Sequence, residues 1–285
     1  MPNWNAFRTD RAISMSMARV LSVNRPPRTA ARFPILMYHG INAELGSRHP
    51  YFETSTSPAA FRLQMTALAK NCYETLNLTA GIAALSCDGG TARKLVGITF
   101  DDGYADFYDT ALPILVELGF KATVFIVTHF TGRERKIKDG KHYMTWREVR
   151  ELPLHGVCIG SHTVTHGKLS TMTPAQVDNE LRESKEVIED KLGAPVESFA
   201  YPYAFPTQNR SFVQFLRERL QIRGYRNGVS TTIGTAKAGT DRYFLPRLPV
   251  NTFDDQAFLR AKIEGGYEWL RALQQAKKTM MTAFS

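Results

Sequence analysis

Two short segments, about sixty residues apart, carry side chains suited to metal chemistry. The first is Thr-Phe-Asp-Asp-Gly-Tyr at 99–104, and the second is Ser-His-Thr-Val-Thr-His at 161–166. One carboxylate and two imidazoles are a common ligand set for a catalytic divalent cation, with a position left for water. A second carboxylate beside that water is placed to act as a general base.

Each segment alone is open to an ordinary interpretation. Asp-Asp-Gly is typical of a turn, and a single histidine most often has a surface or core role. Neighbouring strand residues point to opposite faces, so Asp101 and Asp102 can serve one site only where the strand ends and the backbone turns, which Gly103 permits. The combination of the two segments therefore indicates a metal site more strongly than either segment does.

Strand-like and helix-like segments alternate along the chain, a pattern typical of βα units around a mainly parallel sheet. The predicted strands are 33–39, 95–100, 122–127, 157–162, 198–203, 225–231 and 243–250. The predicted helices begin at Pro58 and Thr145 and cover 105–118, 173–192, 211–223 and 254–281. Residues 131–141 are charged and lack apolar periodicity, which predicts a loop near the site.

A third segment, Phe-Ala-Tyr-Pro-Tyr at 199–203, completes a recognisable pattern. Together the three segments resemble the motifs of the polysaccharide deacetylases, the family-4 carbohydrate esterases with a NodB-homology domain. The likeness spans roughly residues 33–250. It implies an α/β fold, a distorted (β/α)7 barrel, in a single domain over 33–285 with C-terminal helices from about 254.

The resemblance also implies roles for individual residues. Asp101 corresponds to the general base, and Asp102, His162 and His166 correspond to the metal ligands. Tyr203 corresponds to the residue whose backbone N–H binds the oxyanion.

The proton donor is harder to identify. In many family members a late histidine donates the proton, but no histidine follows His166 in this sequence. Leu-Met-Tyr-His at 36–39 resembles the start of the poly-β-1,6-N-acetylglucosamine deacetylases, in which an amino-terminal histidine takes the acid role. We therefore predict that His39 is the general acid, with its charged form favoured by a nearby carboxylate. The alternative is a structural histidine under the barrel mouth.

The third motif usually carries an arginine that pairs with the base, but Ala200 stands at that position. Arg247, in Leu-Pro-Arg-Leu, is the candidate replacement that would hold Asp101 ionised and oriented. The alternative is that Arg247 pairs with Asp241 near the surface. Trp146 is interpreted either as a sugar-stacking platform or, more commonly for its type, as a core residue at a helix start.

The predicted activity is metal-dependent hydrolysis of the N-acetyl group of an amino sugar in a polymer or oligomer. Zinc is the expected metal from the ligand types, and cobalt, nickel or manganese would also suit them. The first alternative is a related hydrolase acting on a different amide or on a lipid-linked sugar. The second is a carbohydrate-binding protein without catalysis, which the chemically competent residues at the site disfavour.

The net charge of +9 is concentrated at the ends of the chain. Residues 1–32 hold six arginines against one aspartate, so a basic nucleic-acid face on the domain is not expected. This leader is predicted to be a solvated, poorly ordered tail, although a basic tail could also touch an anionic surface.

The sequence has no apolar run long enough for a transmembrane helix and no convincing secretion signal. Three widely spaced cysteines (Cys72, Cys87 and Cys158) predict reduced thiols. Both features lead to the expectation of a bacterial-type cytoplasmic location.

Overall fold

The computed structural model describes residues 9–23, 32–44, 50–85, 93–203 and 209–274. Seven parallel strands close into a barrel in chain order, with the last strand paired to the first. They are β1 (Ile35–Tyr38), β2 (Lys94–Phe100), β3 (Ala122–Ile126), β4 (Val157–Ser161), β5 (Ser198–Ala200), β6 (Asn227–Ile233) and β7 (Leu245–Pro249). This confirms the predicted (β/α)7 barrel.

Helices surround the barrel, and the described α-helices are α1 (Thr9–Val23), α2 (Pro58–Lys70), α3 (Leu78–Ala84), α4 (Leu112–Glu117), α5 (Trp146–Glu151), α6 (Pro174–Leu192), α7 (Arg210–Ile222) and α8 (Gln256–Ala261). The predicted starts of three of them are confirmed by their caps. Ser57 caps α2, and Thr145 and Thr173 form capping boxes with Glu148 and Gln176. Each cap satisfies N–H groups that the first helical turn leaves without a partner.

Strand alternation divides the buried side chains between two cores. Ile35, Phe125 and Leu245 pack inside the barrel, whereas Leu36, Val124 and Leu248, each an odd number of residues away on the same strand, pack between the barrel and the helices. Successive strand residues point to opposite faces, so every second residue is directed inward. The same alternation directs His39, Asp101 and Arg247 toward the interior at or near the carboxyl end of the barrel.

Several local predictions need correction. The predicted helix over 105–118 contains a π-helical turn at Phe107–Ala111 before α4, and the strand predicted over 198–203 ends at Ala200. The segment predicted as a loop over 131–141 contains a small hairpin, in which Ile137–Lys138 pairs with Lys141–His142. The outer strand Tyr73–Thr75, which pairs with β2, and helix α3 had no counterpart in the predictions.

The largest correction concerns the leader. Residues 9–23 form α1, whereas residues 1–8 and 24–31 lie outside the described residues. Ser14 and Ala18 are buried against a π-helical turn at Lys262–Gly266, and Trp269 Nε1 donates a hydrogen bond to Ser14 Oγ at 3.0 Å. A side chain at Gly266 would meet the Ser14 carbonyl oxygen at 2.3 Å, so glycine permits this close approach.

The prediction for the leader weighed its arginines and overlooked small and apolar residues at helical spacing. Within the described part of the chain, no helix is long and apolar enough to cross a membrane. Cys72 and Cys158 are free thiols, and Cys87 lies outside the described residues.

Candidate active site

The base candidate Asp101 lies directly after β2 and is almost fully buried. Its N–H donates to the Tyr38 carbonyl oxygen at 3.0 Å, which ties it to the end of the neighbouring strand β1. Asp102 and Gly103 then adopt left-handed conformations, with φ of 73° and 74°. This turn lets two consecutive carboxylates face one site, as the sequence required.

Arg247 makes a bidentate contact with Asp101 across the barrel interior. Its Nη1 and Nη2 lie 2.7 Å from Asp101 Oδ1 and Oδ2, respectively. Its Nε donates to the Ser230 carbonyl oxygen at 3.0 Å, and Nη1 also donates to Thr99 Oγ1 at 3.1 Å. The arginine is fully buried, so these bonds compensate for its lost hydration.

The sequence left two possible partners for Arg247, Asp101 and Asp241, and in the structure Arg247 pairs with Asp101. Asp241 instead pairs with Arg217 at 2.6 Å. Burial raises the pKa of Asp101, but the charge and hydrogen bonds of Arg247 outweigh burial, so the pKa lies below its ordinary value. Asp101 is therefore ionised at neutral pH.

Asp102, His162 and His166 come together as a compact group of possible metal ligands. Asp102 Oδ1 lies 3.4 Å from His162 Nε2 and 3.2 Å from His166 Nε2. Two ligands of a tetrahedral zinc ion at ordinary bond lengths are roughly 3.3 Å apart. The observed spacing therefore suits a single small cation between these atoms.

Two further features fit a cation. His162 Nδ1 lies 2.8 Å from the Ala200 carbonyl oxygen, so Nδ1 carries the proton and Nε2 keeps its lone pair for a metal. Asp102 Oδ1 is buried and has no hydrogen-bond partner among the described residues. Burial opposes ionisation of Asp102, but the close approach of the His162 and His166 imidazoles outweighs it and holds the pKa of Asp102 well below the ordinary value.

His39 follows β1 and lies beside Asp101. Its Nε2 is 3.9 Å from Asp101 Oδ2, and about a fifth of its side chain is exposed. Burial lowers the pKa of His39, and the neighbouring Asp102 and Asp101 offset this only in part. The two carboxylates favour the charged form of His39, as predicted, but burial has the larger effect and the pKa is lowered overall.

Tyr203 lies beyond β5 in a left-handed conformation with φ of 59°, and its side chain is 54% exposed. Its ring centroid is 4.9 Å from that of His166, so the residue borders the ligand group. The contribution of its N–H to an oxyanion site stays a prediction. Trp146 is half-buried and packs against the outer core, which is the simpler of its two interpretations.

Aromatic residues form a wall beside Asp102 that sequence reasoning missed. The rings of Tyr104 and Tyr143 are 5.1 Å apart, and Phe130 follows at 4.8 Å from Tyr143. The hairpin adds Lys141 and Lys138, whose ammonium groups lie 4.4 and 4.3 Å from the ring centroids of Tyr104 and Phe130. Burial and the charge of Asp102 raise the pKa of Tyr143 to about 12, so its hydroxyl stays protonated.

Glu180 on α6 was also missed, although a signal was present. It lies on the same helical face as Val177, Leu181 and Ser184, all of which are buried. Its carboxylate contacts the segment between the two histidines. A glutamate within an apolar helical stripe was the pattern that could have identified it.

Comparison with known proteins agrees with this arrangement. The sequence profile of the family "Polysaccharide deacetylase" matches residues 88–219. The polysaccharide deacetylase homologue YxkH of Bacillus subtilis (strain 168) is 32% identical over 221 residues, which cover 78% of this chain and 72% of YxkH. The chain belongs to the polysaccharide deacetylase family.

Two further relatives extend this comparison. The structure of the deacetylase PplD of Streptococcus pyogenes in complex with acetate superposes with a TM-score of 0.70 at 27% identity, covering 82% of this chain and 99% of PplD. A poly-β-1,6-N-acetyl-D-glucosamine N-deacetylase of Staphylococcus aureus (strain MSSA476) is 23% identical over 181 residues, which cover 60% of this chain and 58% of that protein. This family of carbohydrate esterases consists of hydrolases.

Proposed function

We propose that the chain removes N-acetyl groups from a polymer or oligomer of β-1,6-linked N-acetylglucosamine. The observation that carries this proposal is the contact of Asp101 with both Arg247 and His39, at 2.7 and 3.9 Å. It fits the expectation, drawn from the resemblance to the poly-N-acetylglucosamine branch, of an acid at the start of the barrel. The relative from Staphylococcus aureus adds support for this substrate class.

Asp102, His162 and His166 would hold a divalent cation, with zinc favoured by two imidazoles and one carboxylate. When bound, such a cation supplies Lewis acidity toward a carbonyl and toward water. Asp101 accepts the proton of the attacking water, and Arg247 fixes the orientation of both carboxylate oxygens during this step.

His39 completes the reaction by donating a proton from Nε2 to the leaving amine. Because Nε2 is 3.9 Å from Asp101 Oδ2, the proton taken by the carboxylate has a short route to the imidazole. The ring of Tyr203 borders the ligand group, and its N–H is the candidate donor to the developing oxyanion. The products are acetate and a free amino group.

Acetate release from purified, metal-loaded protein tests this proposal. We expect release from β-1,6-linked N-acetylglucosamine oligomers to exceed release from the β-1,4-linked oligomers. Asp101→Asn should bind metal and lose turnover, with Asp241→Asn as the control that should keep it. Release of formate from a formylated sugar in place of acetate, or full activity in Asp101→Asn, would contradict the assignment.

A further inference from the structure

The segment that joins the two histidine ligands has an unusual backbone. Thr163 and His166 adopt left-handed conformations with φ of 70° and 57°, although neither is glycine. For such residues this conformation costs about 1–2 kcal/mol each. Contacts outside the segment must therefore hold it in place.

Glu180 makes the densest of these contacts. Its Oε2 accepts hydrogen bonds from the N–H groups of Val164 and Thr165 at 2.7 and 3.0 Å, and its Oε1 accepts one from Thr165 Oγ1 at 2.7 Å. The glutamate is only 8% exposed. Among the described residues, no lysine, arginine or histidine lies within ion-pair distance of it, so these three donors are what stabilise its buried charge.

A second contact comes from the same face of α6, one turn further on. Ser184 Oγ lies 2.7 Å from Ser161 Oγ, which in turn accepts a hydrogen bond from the Thr163 N–H at 3.3 Å. Ser184 thus holds the start of the segment near His162, and Glu180 holds the part that precedes His166. Helix α6 positions both halves of the turn.

We propose that Glu180 is a positioning residue that sets His166 in place for metal binding, an inference that rests on the proposed metal site. The two ligands differ in their own support. His162 is 2% exposed and has its Nδ1 bonded to a carbonyl oxygen, whereas the His166 side chain is 23% exposed. His166 therefore depends more on the backbone of the segment, which Glu180 holds.

Metal affinity in matched variants tests this role. Glu180→Ala should weaken zinc binding by about 10- to 100-fold, the usual effect of losing a residue that supports a ligand. Glu180→Gln keeps an oxygen acceptor in the same place and should restore most of the affinity. Glu183→Ala, on the exposed face of the same helix, is the control and should bind zinc like the wild type. Competition with a chromophoric chelator measures each dissociation constant, independently of turnover.

A merely structural role of Glu180 predicts a different result. Glu180→Ala would then lower the stability of the metal-free protein and leave the zinc dissociation constant of the folded protein unchanged. Folded Glu180→Ala with a dissociation constant within twofold of the wild-type value would overturn the inference. If Glu180→Ala does not fold, Thr165→Val, which removes one of the three bonds, should weaken binding by about 3- to 10-fold, and wild-type affinity in that variant would overturn it. Absence of zinc binding by the wild-type chain would instead overturn the proposed function.

Discussion

Replacing Arg247 with methionine should strongly destabilise the protein at neutral pH. The substitution keeps the apolar stem but removes both 2.7 Å hydrogen bonds to Asp101, whose side chain is 2% exposed. Removing one partner of a buried ion pair costs about 3–5 kcal/mol, because the remaining charge has lost both its partner and its water. For a protein of this size that loss lowers Tm by roughly 6–20 °C.

The effect should depend on pH, and its sign follows from the state of Asp101. In the wild type, Arg247 lowers the pKa of Asp101, so the pair stabilises the fold above the unfolded pKa and this stability is lost as pH falls through the folded pKa. In the variant, burial is opposed only by the smaller effects of His162 and His39, so the pKa of Asp101 rises, and the penalty is full at pH 7 and is relieved as the carboxylate becomes protonated. The stability difference between the two proteins should therefore shrink as the pH falls from 7 toward 4.

Urea denaturation of the metal-free proteins at several pH values measures this difference. Asp101→Asn combined with Arg247→Met should be more stable at pH 7 than Arg247→Met alone, since the buried charge is absent. Arg217→Met, which breaks a half-exposed pair with Asp241, is the control and should lose at most about 1 kcal/mol. A loss below about 1 kcal/mol for Arg247→Met, or a loss that is independent of pH, would refute the reasoning.

Three further predictions concern separate parts of the molecule. His39→Gln should lower kcat and leave the zinc dissociation constant unchanged, and a simultaneous loss of zinc would make His39 a ligand instead of an acid. Lys262→Met should cost about 3–5 kcal/mol in urea denaturation, because Lys262 Nζ lies 2.8 Å from the buried Asp254 Oδ2, whereas Arg260→Met on the exposed face should have little effect. Ser14→Val should remove the hydrogen bond that anchors α1, change the fluorescence of Trp269, and lower stability by about 1 kcal/mol.

The sequence predicted the barrel, and it predicted that the base Asp101, the acid His39 and the metal ligands belong to one site. Alternation along the strands explains this success. Asp101 is two residues after Thr99 of β2, and His39 is two residues after Met37 of β1, so both side chains point toward the barrel interior. The same alternation directs Arg247 into the barrel, which would have favoured Asp101 over Asp241 as its partner. The sequence left the partner of Arg247 open because β7 and β2 are not neighbouring strands, and their relative heights follow from the register of each with β1 in the closed barrel.

Other features could not be predicted because they depend on contacts between distant segments. The helix over 9–23 is stabilised against residues 262–269, and nothing local to the arginine-rich leader indicates that surface. The π-helical turn at Phe107–Ala111 lies just before Pro113, which has no N–H to donate; this proline marks an irregularity in the predicted helix but does not indicate its type. The charge state of His39 depends on the balance between burial and two carboxylates, which requires coordinates.

The left-handed residues at the barrel mouth have a consequence for engineering this protein. Among the described residues, six that are not glycine have positive φ, and four of these are Asp102, Thr163, His166 and Tyr203. Glycine would relax the backbone at each position, yet at Asp102 and His166 it would delete a side chain of the ligand group. A screen for thermal stability alone should therefore tend to select variants that sacrifice this site. Substitutions meant to raise thermal stability are better placed in α1 and the outer helices, away from side chains that the site requires.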